Sequence, residues 1–119
     1  MALIKTYKEL DIWLLGMELT DGVYRITSKL PEVEKYGMTA QMRRSAISIP
    51  SNIAEGSARN SFKEFVQFLH IALGSIAELE TQLLIAERQG LLSVDETVKL
   101  LEELRRKTLS YIKHLKTKF

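Results

Sequence analysis

The sequence predicts an all-α fold, an antiparallel up-down-up-down four-helix bundle. Apolar residues recur at helical spacing along nearly the whole chain, and helix-start signals repeat between them. Six glycines and two prolines in 119 residues leave too few turns for an all-β fold. Short connections between long helices favour antiparallel neighbours. The expected helices run over roughly 6–29, 39–57, 61–89 and 93–118 within one domain spanning 1–119.

The start signals justify each element in turn. Thr6-Tyr7-Lys8-Glu9, Ser61-Phe62-Lys63-Glu64 and Ser93-Val94-Asp95-Glu96 each place a hydroxyl three residues before a glutamate. In such a box the two side chains satisfy orphan backbone donors reciprocally. Thr39 is a candidate cap for the second helix. Helix one is apolar on two sides, with Leu10, Trp13, Leu14, Met17 and Tyr24 on one stripe and Ile12, Leu15, Leu19, Val23, Ile26 and Leu30 on another. A single bundle buries one side of a helix, so the second stripe predicts coverage by further subunits.

Helix two places Met42, Ala46, Ile49 and Ile53 on one face and Arg44, Ser48, Ser51 and Glu55 on another. Pro50 lies in its middle, lacks an N–H and crowds the carbonyl of Ala46, which predicts a kink near Ile49. The small face Ser45–Ser48–Ser51 predicts a close approach there. Helix three carries a seam of Phe62, Phe65, Leu69, Ala72, Ile76, Leu79, Leu83 and Ala86, in alternating steps of three and four.

Two carboxylates fall on apolar arcs, Asp21 in helix one and Glu80 in helix three. Burial would require a partner or a raised pKa, so an ion pair, within the chain or between subunits, is expected with Arg25, Arg43 or Arg44. Arg43 or Arg44 is expected to meet Glu80 or Glu55; with Pro50 and Asn52 these form the expected structural set. A catalytic role for the buried acids is the competing reading.

Composition excludes several classes. Zero cysteines rule out disulfides and thiolate metal sites and fit a reducing cytoplasm. The first five residues, Met1-Ala2-Leu3-Ile4-Lys5, show no signal-peptide pattern. No uninterrupted apolar run approaches the roughly 18 residues of a membrane span. The only pair resembling the Glu-x-x-His motif of di-metal bundles is Gln67-x-x-His70, wrong in type and number, so no cofactor or metal is expected. There is no phosphate loop, nucleophile elbow or His-Glu-x-x-His, and catalysis is not expected.

The net charge of +2 is modest, but its distribution is uneven. After Glu103 no acidic side chain follows, while Arg105, Arg106, Lys107, Lys113, Lys116 and Lys118 do. A basic helix end complements the helix dipole, and it is equally a footprint for a polyanion.

The string Leu30-Pro31-Glu32-Val33-Glu34-Lys35-Tyr36-Gly37-Met38, then Gln41-Met42-Arg43-Arg44-Ser45-Ala46 and Ser48-Ile49-Pro50-Ser51-Asn52-Ile53-Ala54-Glu55-Gly56, followed by Gly74-Ser75-Ile76-Ala77-Glu78-Leu79-Glu80, resembles a known family. These are the four-helix-bundle proteins encoded in intervening sequences of bacterial 23S ribosomal RNA genes. The resemblance implies a cytoplasmic bundle that assembles as a homopentamer. More distantly, the chain resembles the accessory protein of diversity-generating retroelements, a pentameric barrel that binds a reverse transcriptase and nucleic acid. Ala58 stands where the family more usually has a second glycine, and Ser28-Lys29-Leu30 lacks the aromatic residue that commonly precedes the proline.

Two functions follow as expectations. One is a non-catalytic scaffold binding RNA or DNA without sequence preference through Arg59, Lys63, Arg105, Arg106, Lys113, Lys116 and Lys118. The other is an oligomeric adaptor that docks a protein partner and touches no nucleic acid.

Overall fold

A computed structural model describes residues 6–119. The reading of residues 1–5 as free of a leader pattern therefore lies outside the described residues. Four α-helices make up the fold: α1 (Asp11–Thr27), α2 (Ala40–Ser57), α3 (Phe62–Arg88) and α4 (Asp95–Lys116). The described residues contain no strand. The bundle measures 47 × 21 × 19 Å.

Of the three boxes only the one at Ser61 caps an α-helix, and there through the hydroxyl half alone. The Glu64 N–H donates to Ser61 Oγ at 3.1 Å, which opens α3. Thr6 accepts instead from Lys8 N and caps a 3₁₀ turn, Tyr7–Glu9; Leu10 is then extended and delays α1 to Asp11. Ser93 does not cap α4, because Val94, 1% exposed, is drawn into the core and becomes the boundary residue. Thr39 makes no capping bond, since the chain enters α2 from a π-turn, Lys35–Thr39, already in helical conformation. The end of α3 is a Schellman motif. Gly90 takes φ +73°, Leu91 N bonds Ala86 O at 3.0 Å, and Gly90 N bonds Glu87 O at 2.9 Å.

Each helix packs on its chain neighbours, and α4 returns to α1. Gly16 lies against Pro50 and Thr20 reaches Ala46 across α1 and α2. Ser45 bonds Glu78, while Gly56 meets Phe65 and Phe68 across α2 and α3. Phe65 stacks edge-on against Tyr111 across α3 and α4. In the first two pairs residue numbers rise on one helix as they fall on the other, so α1 and α3 both run opposite to α2. The core takes Ile12, Leu19 and Val23 from α1, Met42, Ala46, Ile49 and Ile53 from α2, and Leu101, Leu104, Ile112 and Leu115 from α4. From α3 it takes Phe65, Val66, Leu69, Ala72, Ile76, Leu79, Leu83 and Ala86.

By length and composition α3 is apolar enough to cross a membrane, with a window of mean hydropathy 1.3, although no uninterrupted apolar run announces it. Core helices of water-soluble bundles pass the same test, and α3 buries eight residues against the bundle.

Pro50 sits inside α2, which continues unbroken through it and buries it. The acceptor left over by the missing N–H is Ala46 O. Thr20 Oγ1 donates toward it at 3.3 Å while also reaching Gly16 O at 2.8 Å, one proton shared between two carbonyls. Glycine at position 16 makes this approach possible, because a Cβ there would stand 3.3 Å from Pro50 Cβ.

The expected burial of Asp21 and Glu80, and an ion pair for either within the chain, fail here. Asp21 is exposed and Glu80 is half-buried, and neither makes an ion pair. Glu80 lies at the edge of its apolar arc, and Asp21 lies on the stripe of α1 that faces outward, so both carboxylates keep contact with water. That avoids the desolvation cost an internal pair would have to recover.

Three substitutions test this packing. A Cβ at Gly56 would stand 2.6 Å from Phe68 Cβ and 2.9 Å from Phe65 Cδ1, so Gly56→Ala should lose roughly 1–3 kcal/mol in urea denaturation. Gly22→Ala, whose Cβ would meet only the flexible Arg25 tip at 3.6 Å, should instead gain about 0.5–1 kcal/mol. Thr20→Val should cost about 1–3 kcal/mol by leaving Ala46 O without a donor. In a Pro50→Ala background, where residue 50 regains its N–H, that cost should shrink; equal costs in both backgrounds would refute the Thr20–Ala46 contact.

Candidate nucleic-acid interface

The antiparallel register gathers most of the expected basic residues at one end of the bundle. Arg59 and Lys63 flank the connection between α2 and α3. The Phe65–Tyr111 contact, with ring centroids 5.8 Å apart, sets that connection level with the last turns of α4. Lys113, Lys116 and Lys118 are exposed there. The start of α1 joins them across a cavity of about 490 Å³ shared with Lys107, Tyr111 and His114. Lys107 and His114 thus belong to this end although the sequence reading left them out; only the α1–α4 contact reveals it.

The seven expected residues are not equally available. Arg59 lies over the Phe68 ring at 4.6 Å and pairs with Glu55 at 3.6 Å. This cation–π contact orients the guanidinium and leaves its outer edge in water. Arg105 donates from Nε and Nη2 to Glu102 Oε1 at 2.9 and 2.7 Å. That hydrogen bond lowers the Glu102 pKa and raises that of Arg105, with the nearby Glu80 charge adding to the latter. Arg105 and Arg106 stand two or more turns from the basic end, on different sides of α4. Lys63, Arg106, Lys113, Lys116 and Lys118 form no ion pair among the described residues.

The expected structural set is also rearranged. Arg43 meets no carboxylate. Its Nε donates to Thr27 Oγ1 at 2.9 Å, its Nη2 reaches Tyr24 O at 3.4 Å, and its guanidinium stacks 4.4 Å from the Tyr24 ring centre. Arg43 therefore satisfies the carboxyl-terminal turn of α1, a favourable place for a cation. Arg44 is exposed without an ion pair, and Glu55 is taken by Arg59. Around Pro50, Asn52 Nδ2 donates to Ser48 O at 2.7 Å and Ser51 Oγ to Ile47 O at 2.8 Å. Ser45 Oγ donates to Glu78 Oε1 at 3.1 Å, a partner no spacing rule indicated.

Among the described residues no three His, Asp or Glu side chains gather as a metal site. His70 is exposed. The buried Tyr111 hydroxyl has no hydrogen-bond partner, and burial raises its pKa. Among the described residues no hydroxyl hydrogen-bonds a histidine ring, and the hydroxyl held on a carboxylate is that of Ser45, on Glu78.

The model of the 23S rRNA-intervening sequence protein family matches residues 8–110. No curated protein matches the chain. The match takes in α1, α2 and α3 entire and most of α4, including the segment around Pro50 on which the bundle turns. The chain belongs to the 23S rRNA-intervening sequence protein family.

Proposed function

We propose that this protein is a non-catalytic, ring-forming scaffold of the cytoplasm. Its basic end holds RNA or DNA by the phosphate backbone, weakly and without reading sequence. The observation that carries this is the gathering of Lys63, Lys113, Lys116 and Lys118, with no ion-pair partner among the described residues, around an oriented Arg59 at one end of the bundle. Lysines and arginines without carboxylate partners neutralise phosphates and release counterions, whatever the base sequence. Arg106 extends this surface along α4, and Arg105 adds to it only by leaving Glu102. Phe119, 59% exposed beside Lys118, offers a single ring, short of the several that splay and stack successive bases.

Assembly supports the same reading. Leu14, Met17 and Tyr24 are 49%, 42% and 42% exposed on the outer stripe of α1, an apolar surface that further copies would cover. The family resemblance implies five copies. Five weak basic ends linked in one ring bind a long polyanion far more tightly than one.

A second reading, the protein adaptor, is favoured by a different observation. Val33 and Tyr36, 85% and 88% exposed, project from the turns between α1 and α2 at the opposite end of the bundle. An aromatic and an aliphatic side chain held outward suit a partner's pocket.

Light scattering at micromolar concentration should give a mass near five times 13.6 kDa, and a monomer mass would refute the ring. Structured RNA, single-stranded DNA and duplex DNA should all bind at low salt, with affinity falling steeply as salt is added. Reversing Lys113, Lys116 and Lys118 to glutamate should weaken all three alike and flatten the salt slope by about 2–3. Lys35→Glu, at the far end, should change nothing. If the wild-type protein binds none of the three, the adaptor reading replaces this one.

A further inference from the structure

We infer that the outer stripe of α1 in one copy docks into the groove between α2 and α3 of the next, with Asp21 meeting Arg44. This rests on the proposed ring and specifies its interface.

The two surfaces belong to one chain yet cannot meet within it, because α1 packs on α2 and α4 and its stripe faces outward. The groove, about 480 Å³, has a floor of small residues, Ser45, Ser48 and Ser75. Three features of it ask for a partner. Ile71 on its rim is 51% exposed. Gly74, exposed in the middle of α3, has nothing within 4 Å of where a Cβ would stand. Gln82 Oε1 on its wall is buried and lacks a donor.

The heights of these features match those of the stripe. Contacts Gly16–Pro50 and Thr20–Ala46 place each α1 residue level with a known α2 residue, and Ser45–Glu78 carries the level on to α3. Leu14 then stands level with Ile71, Met17 with Gly74, and Arg25 with Gln82. Asp21 stands level with Ser45, next to Arg44. Rotation about an axis parallel to the helices leaves heights unchanged, so a ring of parallel bundles brings these same pairs together. Leu14 covers Ile71, Met17 fills the space above Gly74, and Arg25 supplies the donor that Gln82 Oε1 lacks.

At the centre of this contact Asp21 faces Arg44, with the Glu78 carboxylate at the same level held by the Ser45 hydroxyl. Asp21 and Arg44 are both exposed, and neither has an ion-pair partner in its own chain among the described residues. Because each copy offers both surfaces, the contact is heterologous, the kind that generates closed rings.

The test is a charge swap read by light scattering. Asp21→Arg and Arg44→Asp should each reduce the assembly toward the 13.6 kDa monomer with helical content retained, and the double variant should restore it. Unchanged mass in the single variants, or no restoration in the double, overturns the pairing. The chain has no cysteine, so Leu14→Cys combined with Ile71→Cys provides an independent readout. Oxidation should yield a ladder of covalently linked copies on a non-reducing gel, where either single variant gives dimers at most. A wild-type protein that is monomeric refutes the ring itself. A wild-type ring that neither cross-links nor responds to the swap refutes only this interface.

Discussion

A proline inside a buried helix is the constraint around which the bundle is arranged. Pro50 withholds the donor that Ala46 O needs and adds a ring that a neighbouring helix must accommodate. Both problems are met from α1, where Gly16 leaves room for the ring and Thr20 turns its hydroxyl toward the carbonyl. On the other side of α2, Gly56 admits Phe65 and Phe68 at distances no side chain would allow. Helix α2 is therefore clasped between two helices at points where its own residues are small or unusual. Its exposed polar side chains, Ser51 and Asn52 among them, spend their hydrogen bonds on its own carbonyls.

This packing leaves little electrostatic work for the interior. The buried polar side chains are hydroxyl-bearing, and Thr27 and Thr108 satisfy theirs on the carbonyls of Val23 and Leu104, at 2.6 and 2.7 Å. No carboxylate is buried among the described residues, so the desolvation cost of an internal ion pair never arises. Charge is left at the surface, where it does little to set the fold. Arg43 is the exception that links the two levels, since it ends α1 by hydrogen bonding and stacks on a tyrosine of the outer stripe.

The same bundle presents chemically different surfaces. One end is rich in lysine, the other projects Val33 and Tyr36, and the long sides carry an apolar stripe and a polar groove. A ring joined along its long sides leaves both ends free, so nucleic-acid contact and partner contact need not compete for one surface.

The sequence by itself determined the number of helices, their boundaries to within a few residues and the inward faces of α2 and α3. Each of these is written in a local period of 3.6 residues, and periodicity needs no knowledge of partners. It located the Ser61 cap, which depends on a hydroxyl and an amide three residues apart. It misjudged the burial of Glu80, because a position at the edge of an apolar arc is buried or exposed according to a small rotation, and that of Asp21, because only neighbouring helices decide which apolar stripe of α1 faces inward. Local spacing could not show that Arg43 prefers Thr27 and Tyr24 to a carboxylate, nor that Thr20 reaches Ala46 O, the acceptor Pro50 leaves over, across 26 residues of chain. Likewise Arg59 and Lys118, far apart in sequence, share one end only because four helices fold back on one another. Local chemistry defines elements one at a time. Tertiary packing decides which of their surfaces meet, and here that decides where the basic end, the groove and the apolar stripe lie.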